Sequence, residues 1–139
     1  MNDLHEGFYI DSKLFPPPRY PTSPQVTDDS ERLLLGPFCG KPACQFIEIA
    51  PGKARGVCSD AFLQRNTLVV PNVDLYPGHI ACDGDTKSEI VIPLIHEVGS
   101  EIVVLGVLDL DCLSINGFDR DDQAGLERIA TLVVNACTW

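Results

Sequence analysis

Cys82 lies among side chains that can carry charge or move a proton. Within seven residues of it come His79, Asp83, Asp85 and Glu89. A thiol beside carboxyls and an imidazole is suited to nucleophilic or redox chemistry. The surrounding segment, residues 72–89, has no helical or strand periodicity, and an apolar run precedes and follows it. We therefore predict a long functional loop between two strands, with Cys82 as its reactive group.

Two further cysteines, Cys44 and Cys58, lie beside predicted loops or strand ends and are the other candidates for redox chemistry. Cys112 and Cys137 are expected to be structural. Strand alternation places the first on an apolar face, and helical spacing places the second on a buried stripe. Cys39 lies between Phe38 and Gly40 and receives no role.

Two other kinds of site use the same side chains. Four residues could supply zinc ligands: Cys44, Cys58, His79 and Cys82. The sequence has no CxxC or HxxxH pair, so the spacing argues against a metal, and none is expected. A cysteine hydrolase would use Cys82 as nucleophile and His79 as base. The two lie only three residues apart, and no residue stands out to orient the imidazole.

Three carboxylates complete the candidate set. Glu89 directly precedes an apolar strand, and Asp109 and Asp111 interrupt another. Because side chains alternate along a strand, Asp109 and Asp111 are predicted to share one face. Carboxylates in these places are either surface groups or members of a ligand pocket, and the pattern leaves both open.

Composition narrows the class of protein. The 139 residues suit one domain, and the formal net charge of −10 argues against nucleic acid and against anionic membrane surfaces as partners. No apolar run approaches the roughly 20 residues that span a bilayer. The N-terminus is polar and acidic, unlike a signal peptide. We therefore expect a cytoplasmic protein whose six cysteines are reduced at rest.

The predicted elements form an antiparallel sheet of about five or six strands with helices against one face. Strands are predicted over residues 7–10, 32–38, 43–49, 68–70, 90–95 and 102–110, with a hairpin over 97–101. Gly36 and Pro37 are expected to bend or end the second strand. Residues 11–30 carry five prolines and are predicted to be a loop.

Two helices are predicted beside these strands. The first covers residues 59–64, with Ser59 as N-cap. The second begins after Asp119, which is expected to cap it. Its apolar stripe has helical spacing and contains Leu126, Ile129, Ala130, Val133 and Cys137.

Five stretches of the chain match a known family. They are residues 36–44, 56–58, 76–83, 88–94 and 106–111, and the most specific combines Gly78 to Asp83 with Glu89 and with Leu108 to Asp111. From about residue 7 to the C-terminus the chain closely resembles the free methionine-(R)-sulfoxide reductases, which are built on a single GAF domain. The resemblance implies an α+β, GAF-like fold with a central antiparallel sheet and flanking helices. One GAF-like domain over residues 1–139 is expected, without the N-terminal helical segment of the family.

The resemblance also implies roles for individual residues. Cys82 matches the cysteine that attacks the sulfoxide, and attack by Cys58 is the alternative. Cys44 and Cys58 match the other two redox cysteines, one of which resolves the intermediate. The family's tryptophan four residues before Tyr9 is His5 here. Substrate-binding positions are matched by Glu89, Asp109, Asp111, Tyr9, Ile80 and Ala81.

These roles agree with the chemistry of a sulfoxide. Its sulfur becomes electrophilic when its oxygen is protonated, and a carboxyl kept neutral by burial and like-charged neighbours can donate that proton. The remaining negative charge would hold the substrate ammonium. The implied substrate is free methionine-R-sulfoxide and the implied reductant is thioredoxin, with no metal and no cofactor. The resemblance also allows a homodimer. The alternative function is a non-catalytic GAF domain that senses a small molecule or a redox change.

Overall fold

A computed structural model of the chain describes residues 5–16, 31–41, 43–80 and 82–139. Within these ranges, the strands form one six-stranded sheet in which every pair is antiparallel. In chain order they are β1 (Glu6–Asp11), β2 (Arg32–Cys39), β3 (Phe46–Glu48), β4 (Leu68–Val70), β5 (Ser88–Val98) and β6 (Glu101–Cys112). Their order across the sheet is β3-β2-β1-β6-β5-β4. The predicted α+β class with an antiparallel sheet is confirmed.

The hairpin of β5 and β6 is the longest paired unit of the sheet. Its strands have 11 and 12 residues and extend beyond the predicted ones at both ends. Only Gly99 and Ser100 remain as the turn, so the predicted five-residue hairpin segment was too long. Because β5 begins at Ser88, Glu89 lies inside a strand and not in the preceding loop.

The outer strands differ from prediction in two details. β2 continues through Gly36 and Pro37 to Cys39, whereas a bend or an end was predicted there. The pairing register with β1 shifts between Gly7 and Tyr9. At this bulge β2 has one residue more than β1. β3 is confined to Phe46–Glu48, which leaves the predicted start of the strand as a loop.

The two described helices lie on opposite faces of the sheet. Helix α1 (Val57–Gln64) shares a buried cluster with Val91 and Val107. Helix α2 (Arg120–Ala136) packs through Ala130 and Val134 onto the other face, which carries Ile90 and Leu108. Neighbouring residues of a strand point to opposite faces of the sheet. Because β5 and β6 carry apolar residues at consecutive positions, both faces of the sheet are apolar and each must be covered. The expectation that the helices share one face was wrong.

Of the two predicted N-cap residues, Asp119 is confirmed and Ser59 is wrong. Asp119 accepts hydrogen bonds from the backbone N–H groups of Asp121 and Asp122, and it forms a capping box with Asp122. Helix α1, by contrast, begins at Val57, after Gly56. Ser59 is therefore not an N-cap. It lies inside the helix, and its hydroxyl donates to the Gly56 carbonyl at 3.1 Å.

The buried side of α2 is narrower than the predicted stripe. Ala130 and Val134 are buried, whereas Ile129 is 48% exposed. Cys137 follows the last helical residue and is exposed, so its predicted place on a buried stripe was wrong. None of the helices within the described ranges is long and apolar enough to cross a membrane.

The predicted Pro-rich loop, residues 11–30, is only partly covered by the structure. Asp11 is the last residue of β1, and a 3-10 turn follows over Ser12–Leu14. Residues 17–30 lie outside the described ranges.

Candidate active site

Three carboxyls meet on the face of the sheet that α1 covers. The register of β5 and β6 pairs Glu89 with Asp111 and Val91 with Asp109. Asp109 and Asp111 share one face, as predicted, and the pairing brings Glu89 onto the same face. The exposed fractions are 6% for Glu89, 6% for Asp109 and 9% for Asp111. The alternative that these acids are surface groups is therefore wrong.

Burial of like charges controls the protonation of this trio. Burial and the neighbouring Asp111 carboxylate raise the pKa of Glu89 from 4.5 to about 8. Burial, with Glu89 and Asp111 beside it, holds the pKa of Asp109 well above its ordinary value. Burial raises the pKa of Asp111 to about 6, a smaller change because His5 and Thr86 favour its ionised form. At neutral pH Glu89 is therefore largely protonated and Asp111 largely ionised, so the trio contains both a proton donor and a carboxylate.

Cys58 touches this trio from above. It is the second residue of α1, and Gly56 precedes the helix at a φ of 86°, a conformation that L side chains rarely adopt. The Cys58 thiol lies 3.9 Å from Glu89 Oε1. Burial and the charges of Asp109 and Glu89 raise the pKa of Cys58 well above its usual range. Cys58 is thus held as a neutral thiol next to the acids.

Cys44 and Cys82 form a disulfide in this structure, with their Cα atoms 5.3 Å apart across 38 residues of sequence. Cys44 lies in the loop before β3, and Cys82 in the loop before β5. The fold therefore brings together two of the three predicted redox cysteines as a bonded pair. Cys39, Cys58, Cys112 and Cys137 are free thiols.

His79 is oriented by a partner that the sequence did not reveal. Its Nε2 atom lies 3.4 Å from Glu89 Oε2. Burial lowers the pKa of His79 below its usual value, while the pKa of Glu89 is raised, so the pair meets largely as neutral imidazole and neutral carboxyl at neutral pH. The hydrolase alternative assigned His79 to Cys82, but the structure pairs it with Glu89.

The loop that carries Cys82 is tied to α1. The Tyr76 hydroxyl donates to Asp60 Oδ2 at 2.6 Å. Since Asp60 and Cys58 lie in the same helix, this hydrogen bond connects the loop to the element that positions the buried thiol. Neither Asp60 nor Tyr76 was predicted to have this role.

A cavity of about 160 Å³ is lined by the disulfide, Cys58, His79 and the three acids. Its lining includes the predicted site residues Cys44, Cys58, His79, Ile80, Cys82, Glu89, Asp109 and Asp111. The volume is small beside the hundreds of cubic ångströms of drug-sized pockets, so it suits a small ligand. Ile80 is 51% exposed and forms an apolar part of the wall. Ala81 lies outside the described residues.

Tyr9 is placed differently from the predicted wall residue. It is 1% exposed, belongs to the core cluster around α1, and is not among the residues that line the cavity. Burial and the nearby Asp109 raise the pKa of Tyr9, so its hydroxyl stays protonated. Tyr9 therefore packs beneath the acids.

The cavity lining also contains two basic residues that sequence reasoning missed. Lys53 and Arg55 belong to its lining, opposite in charge to the acid trio. Lys53 is the last residue of the turn that begins at Pro51, and Arg55 follows that turn; this position beside a predicted strand end was the available signal. A cavity whose lining contains both acids and cations suits a zwitterion.

The potential metal ligands that lie close together differ from the four considered in the sequence. Cys44 and Cys82 are bonded to each other and cannot both act as ligands in this state. Among the described residues, the potential ligand atoms of Cys58, Glu89 and Asp109 all lie within 4.8 Å of one another. This cluster contains two of the three acids together with the Cys58 thiol, and its spacing is equally explained by proton sharing.

Comparison with known proteins identifies the family. A family model described as GAF domain matches residues 25–137. The structure of fRMsr, a free methionine-R-sulfoxide reductase, of Staphylococcus aureus in its reduced form is similar at a TM-score of 0.70 and 35% identity, over 96% of this chain and 70% of that chain. The chain belongs to the free methionine-R-sulfoxide reductases of the GAF family. The predicted resemblance and the GAF-like fold are confirmed.

Two further members of the family show how much of each protein is shared. The free methionine-R-sulfoxide reductase of Saccharomyces cerevisiae is 49% identical over 116 residues, which cover 82% of this chain and 61% of that protein. The Neisseria meningitidis enzyme in complex with its substrate has a TM-score of 0.73 and 30% identity, over 96% of this chain and 66% of that chain. The chain thus spans less than two thirds of the length of each of these two reductases.

Proposed function

We propose that this chain reduces free L-methionine (R)-S-oxide to methionine by thiol chemistry, with thioredoxin as the reductant. One observation carries the proposal. The disulfide-bonded pair Cys44 and Cys82 lines the same small cavity as three buried carboxyls with raised pKa values. A sulfoxide reductase needs this combination, because its chemistry consumes both protons and thiol electrons.

Substrate binding is proposed to use both the acidic and the basic residues of the cavity lining. The ammonium group of the substrate lies against Asp109 and Asp111, where an ionised carboxylate attracts it. The α-carboxylate faces Lys53 and Arg55. A methionine sulfoxide inside a protein chain lacks both terminal charges, so this arrangement favours the free amino acid.

The apolar contacts of the substrate are assigned more simply. Ile80 packs against the side chain of the bound amino acid, since it is the exposed apolar residue of the loop wall. Tyr9 supports the acids from below, where its hydroxyl and its ring are buried. Ala81 keeps the substrate-binding role implied by the family resemblance.

In the first chemical step, Glu89 acts as the general acid and Cys82 as the nucleophile. Glu89, largely neutral at pH 7 because its pKa is about 8, donates its proton to the sulfoxide oxygen and makes the sulfur electrophilic. The Cys82 sulfur then attacks, the S–O bond of the substrate breaks, and the oxygen ends on Cys82 as a sulfenic acid. The sulfoxide is reduced by two electrons to the thioether, and Cys82 is oxidised by two.

The second step regenerates the enzyme. The Cys44 thiol condenses with the Cys82 sulfenic acid, forming the disulfide and releasing water. Thioredoxin reduces the disulfide by thiol exchange and leaves as its own disulfide. Cys82 is exposed, which gives a protein reductant access to the bond.

The choice of Cys82 over Cys58 as the attacking residue is supported by their surroundings. The reactive form of cysteine is the thiolate, and the raised pKa of Cys58 opposes its formation. We propose that Cys58 instead donates its weak S–H hydrogen bond to Glu89 and helps to place that carboxyl. Attack by Cys58 would require its thiol to ionise while it is buried beside these acids.

A coupled assay with thioredoxin, thioredoxin reductase and NADPH tests the function. We expect turnover with the free R epimer only, none with Cys82→Ser, and loss of multiple turnover with Cys44→Ser. The matched control is Cys39→Ser, since Cys39 is a free, exposed thiol outside the cavity lining. Absence of turnover in the unmodified protein, with its disulfide cycling normally, would reject the reductase and leave a redox-sensing GAF domain.

Two wider assignments belong to the same proposal. Thioredoxin dependence places the protein in a reducing compartment, and we propose the cytoplasm. A homodimer is also proposed, because α2 exposes Ile129 and Leu132 at 48% and 68%. Sedimentation analysis of the purified chain measures whether it forms a homodimer.

A further inference from the structure

An ion-pair cluster joins the two loops that the disulfide also joins. Lys41 Nζ lies 3.3 Å from Asp83 Oδ2 and 2.9 Å from Asp85 Oδ2. Lys41 is three residues before Cys44, and Asp83 follows Cys82 directly. The cluster therefore connects the loop of the resolving cysteine to the loop of the attacking cysteine at a second point.

Both halves of this cluster are held in place. The Lys41 carbonyl oxygen lies 3.0 Å from Nδ1 of His5, which is 3% exposed. On the other loop, Asp83 Oδ1 accepts the backbone N–H of Asp85 at 3.0 Å, while Asp83 Oδ2 faces the lysine. The lysine and its acceptors are thus anchored from opposite sides, and little ordering is needed when they meet.

We propose that Lys41 is a positioning residue that keeps the loop of Cys44 against the loop of Cys82 while the two thiols are reduced. In this role it sets the effective concentration of Cys44 at Cys82. The step it serves is condensation of the Cys82 sulfenic acid with the Cys44 thiol, which forms one S–S bond and releases water. This catalytic meaning rests on the proposed reductase function, whereas the coupling between ion pair and disulfide does not.

The coupling between the ion pair and the disulfide follows from loop entropy. Bringing the two loops together lowers their conformational entropy, and this loss accompanies only the first contact that forms, whether it is the ion pair or the disulfide. Whichever contact forms first makes the second one effectively intramolecular. By linkage, an ion pair that forms more readily in the oxidised protein must also favour the disulfide, by the same factor.

The size of the effect is limited by solvent. The side chain of Lys41 is 32% exposed, that of Asp83 16% and that of Asp85 71%. Partly exposed ion pairs have modest strength, so we expect Lys41→Gln to lower the equilibrium constant for disulfide formation by about threefold to tenfold.

The direct test is a thiol–disulfide equilibrium that involves no sulfoxide. The whole protein is equilibrated with reduced and oxidised glutathione, thiols are trapped by alkylation, and peptide mapping reads the state of Cys44 and Cys82. Lys41→Arg keeps the cation and should stay within about twofold of the unmodified protein. Lys87→Gln is the matched control, because Lys87 pairs with Asp74 at 3.4 Å within its own loop and joins no second loop.

Salt supplies a readout that a purely structural role would not move. Screening weakens exposed ion pairs, with a Debye length of about 10 Å at about 0.1 M salt and about 3 Å at about 1 M. The disulfide equilibrium of the unmodified protein should therefore fall with added salt toward that of Lys41→Gln, whose own value should stay nearly constant. Equal equilibria for Lys41→Gln and Lys87→Gln, or equal salt dependence with and without the lysine, would overturn the proposal.

Catalysis gives a second arm that separates the two proposals. When the R epimer oxidises Cys82, the sulfenic acid should be trapped more fully by a dimedone reagent in Lys41→Gln, since condensation is slower. A shifted glutathione equilibrium without any turnover supports the loop-joining role and rejects the reductase. Normal turnover with an unshifted equilibrium does the opposite.

Discussion

Replacing Glu89 by glutamine separates the function of this carboxyl from its effect on stability. Glu89 is buried, and its pKa is raised from 4.5 to about 8. Below about pH 4.5 it carries a proton in both the folded and the unfolded chain, so its charge costs nothing. Between about pH 4.5 and about pH 8 the unfolded chain ionises while the folded chain keeps its proton, so the free energy of unfolding decreases as pH rises.

The magnitude follows from the same pKa values. A rise from 4.5 to about 8 corresponds to about 5 kcal/mol at and above pH 8, which is an upper limit because buried sites relax around a charge. We expect Glu89→Gln to be more stable than the unmodified protein by about 3 kcal/mol near pH 8, since the amide removes the charge at nearly the same volume. Near pH 4.5 the difference should fall below about 1 kcal/mol.

The measurement is urea unfolding of the disulfide-bonded protein at several pH values, followed by circular dichroism and by Trp139 fluorescence. Glu97→Gln is the control, because Glu97 lies in the same strand but is exposed, and surface substitutions stay within about 0.5 kcal/mol. In the coupled assay, Glu89→Gln should lose about 100-fold to 1,000-fold in kcat/KM, as expected for a missing general acid.

A stability difference that stays constant between about pH 5 and about pH 8 would refute the reasoning, as would a variant that is less stable at the higher pH. Activity must also agree. The unmodified enzyme should lose kcat/KM above about pH 8, when Glu89 gives up its proton, and the variant should lack this loss.

Two further predictions concern the frame that holds the site. Gly106→Ala should reduce the free energy of unfolding by about 3 kcal/mol in urea melts, because an added methyl would collide with the carbonyl oxygen of Tyr9 in the neighbouring strand. Gly125→Ala is its control, since nothing lies within 4 Å of that methyl, and it should stabilise α2 by about 0.5–1 kcal/mol. Asp119→Ala should cost about 1 kcal/mol through loss of the capping box, measured in the same melts.

The strands and the candidate residues were largely accessible from the sequence, because both depend on local patterns. Alternation along one strand was enough to place Asp109 and Asp111 on the same face, and the capping pattern at Asp119 was enough to begin α2. Local patterns also singled out the three cysteines and the three acids, and the family resemblance supplied their expected roles. Helix α1 was misjudged because its start depends on the positive φ of Gly56, which a propensity argument for Ser59 does not contain.

Only the tertiary structure decided which of these residues meet. The register between two strands set Glu89 opposite Asp111, and burial then raised the pKa values that make the trio useful. The packing of two loops brings Cys44 and Cys82 close enough to form a disulfide, while Cys58 is a free thiol. Periodicity describes a residue relative to its own strand or helix. Register, loop closure and burial depend on groups far away in the chain, so no local pattern could specify them.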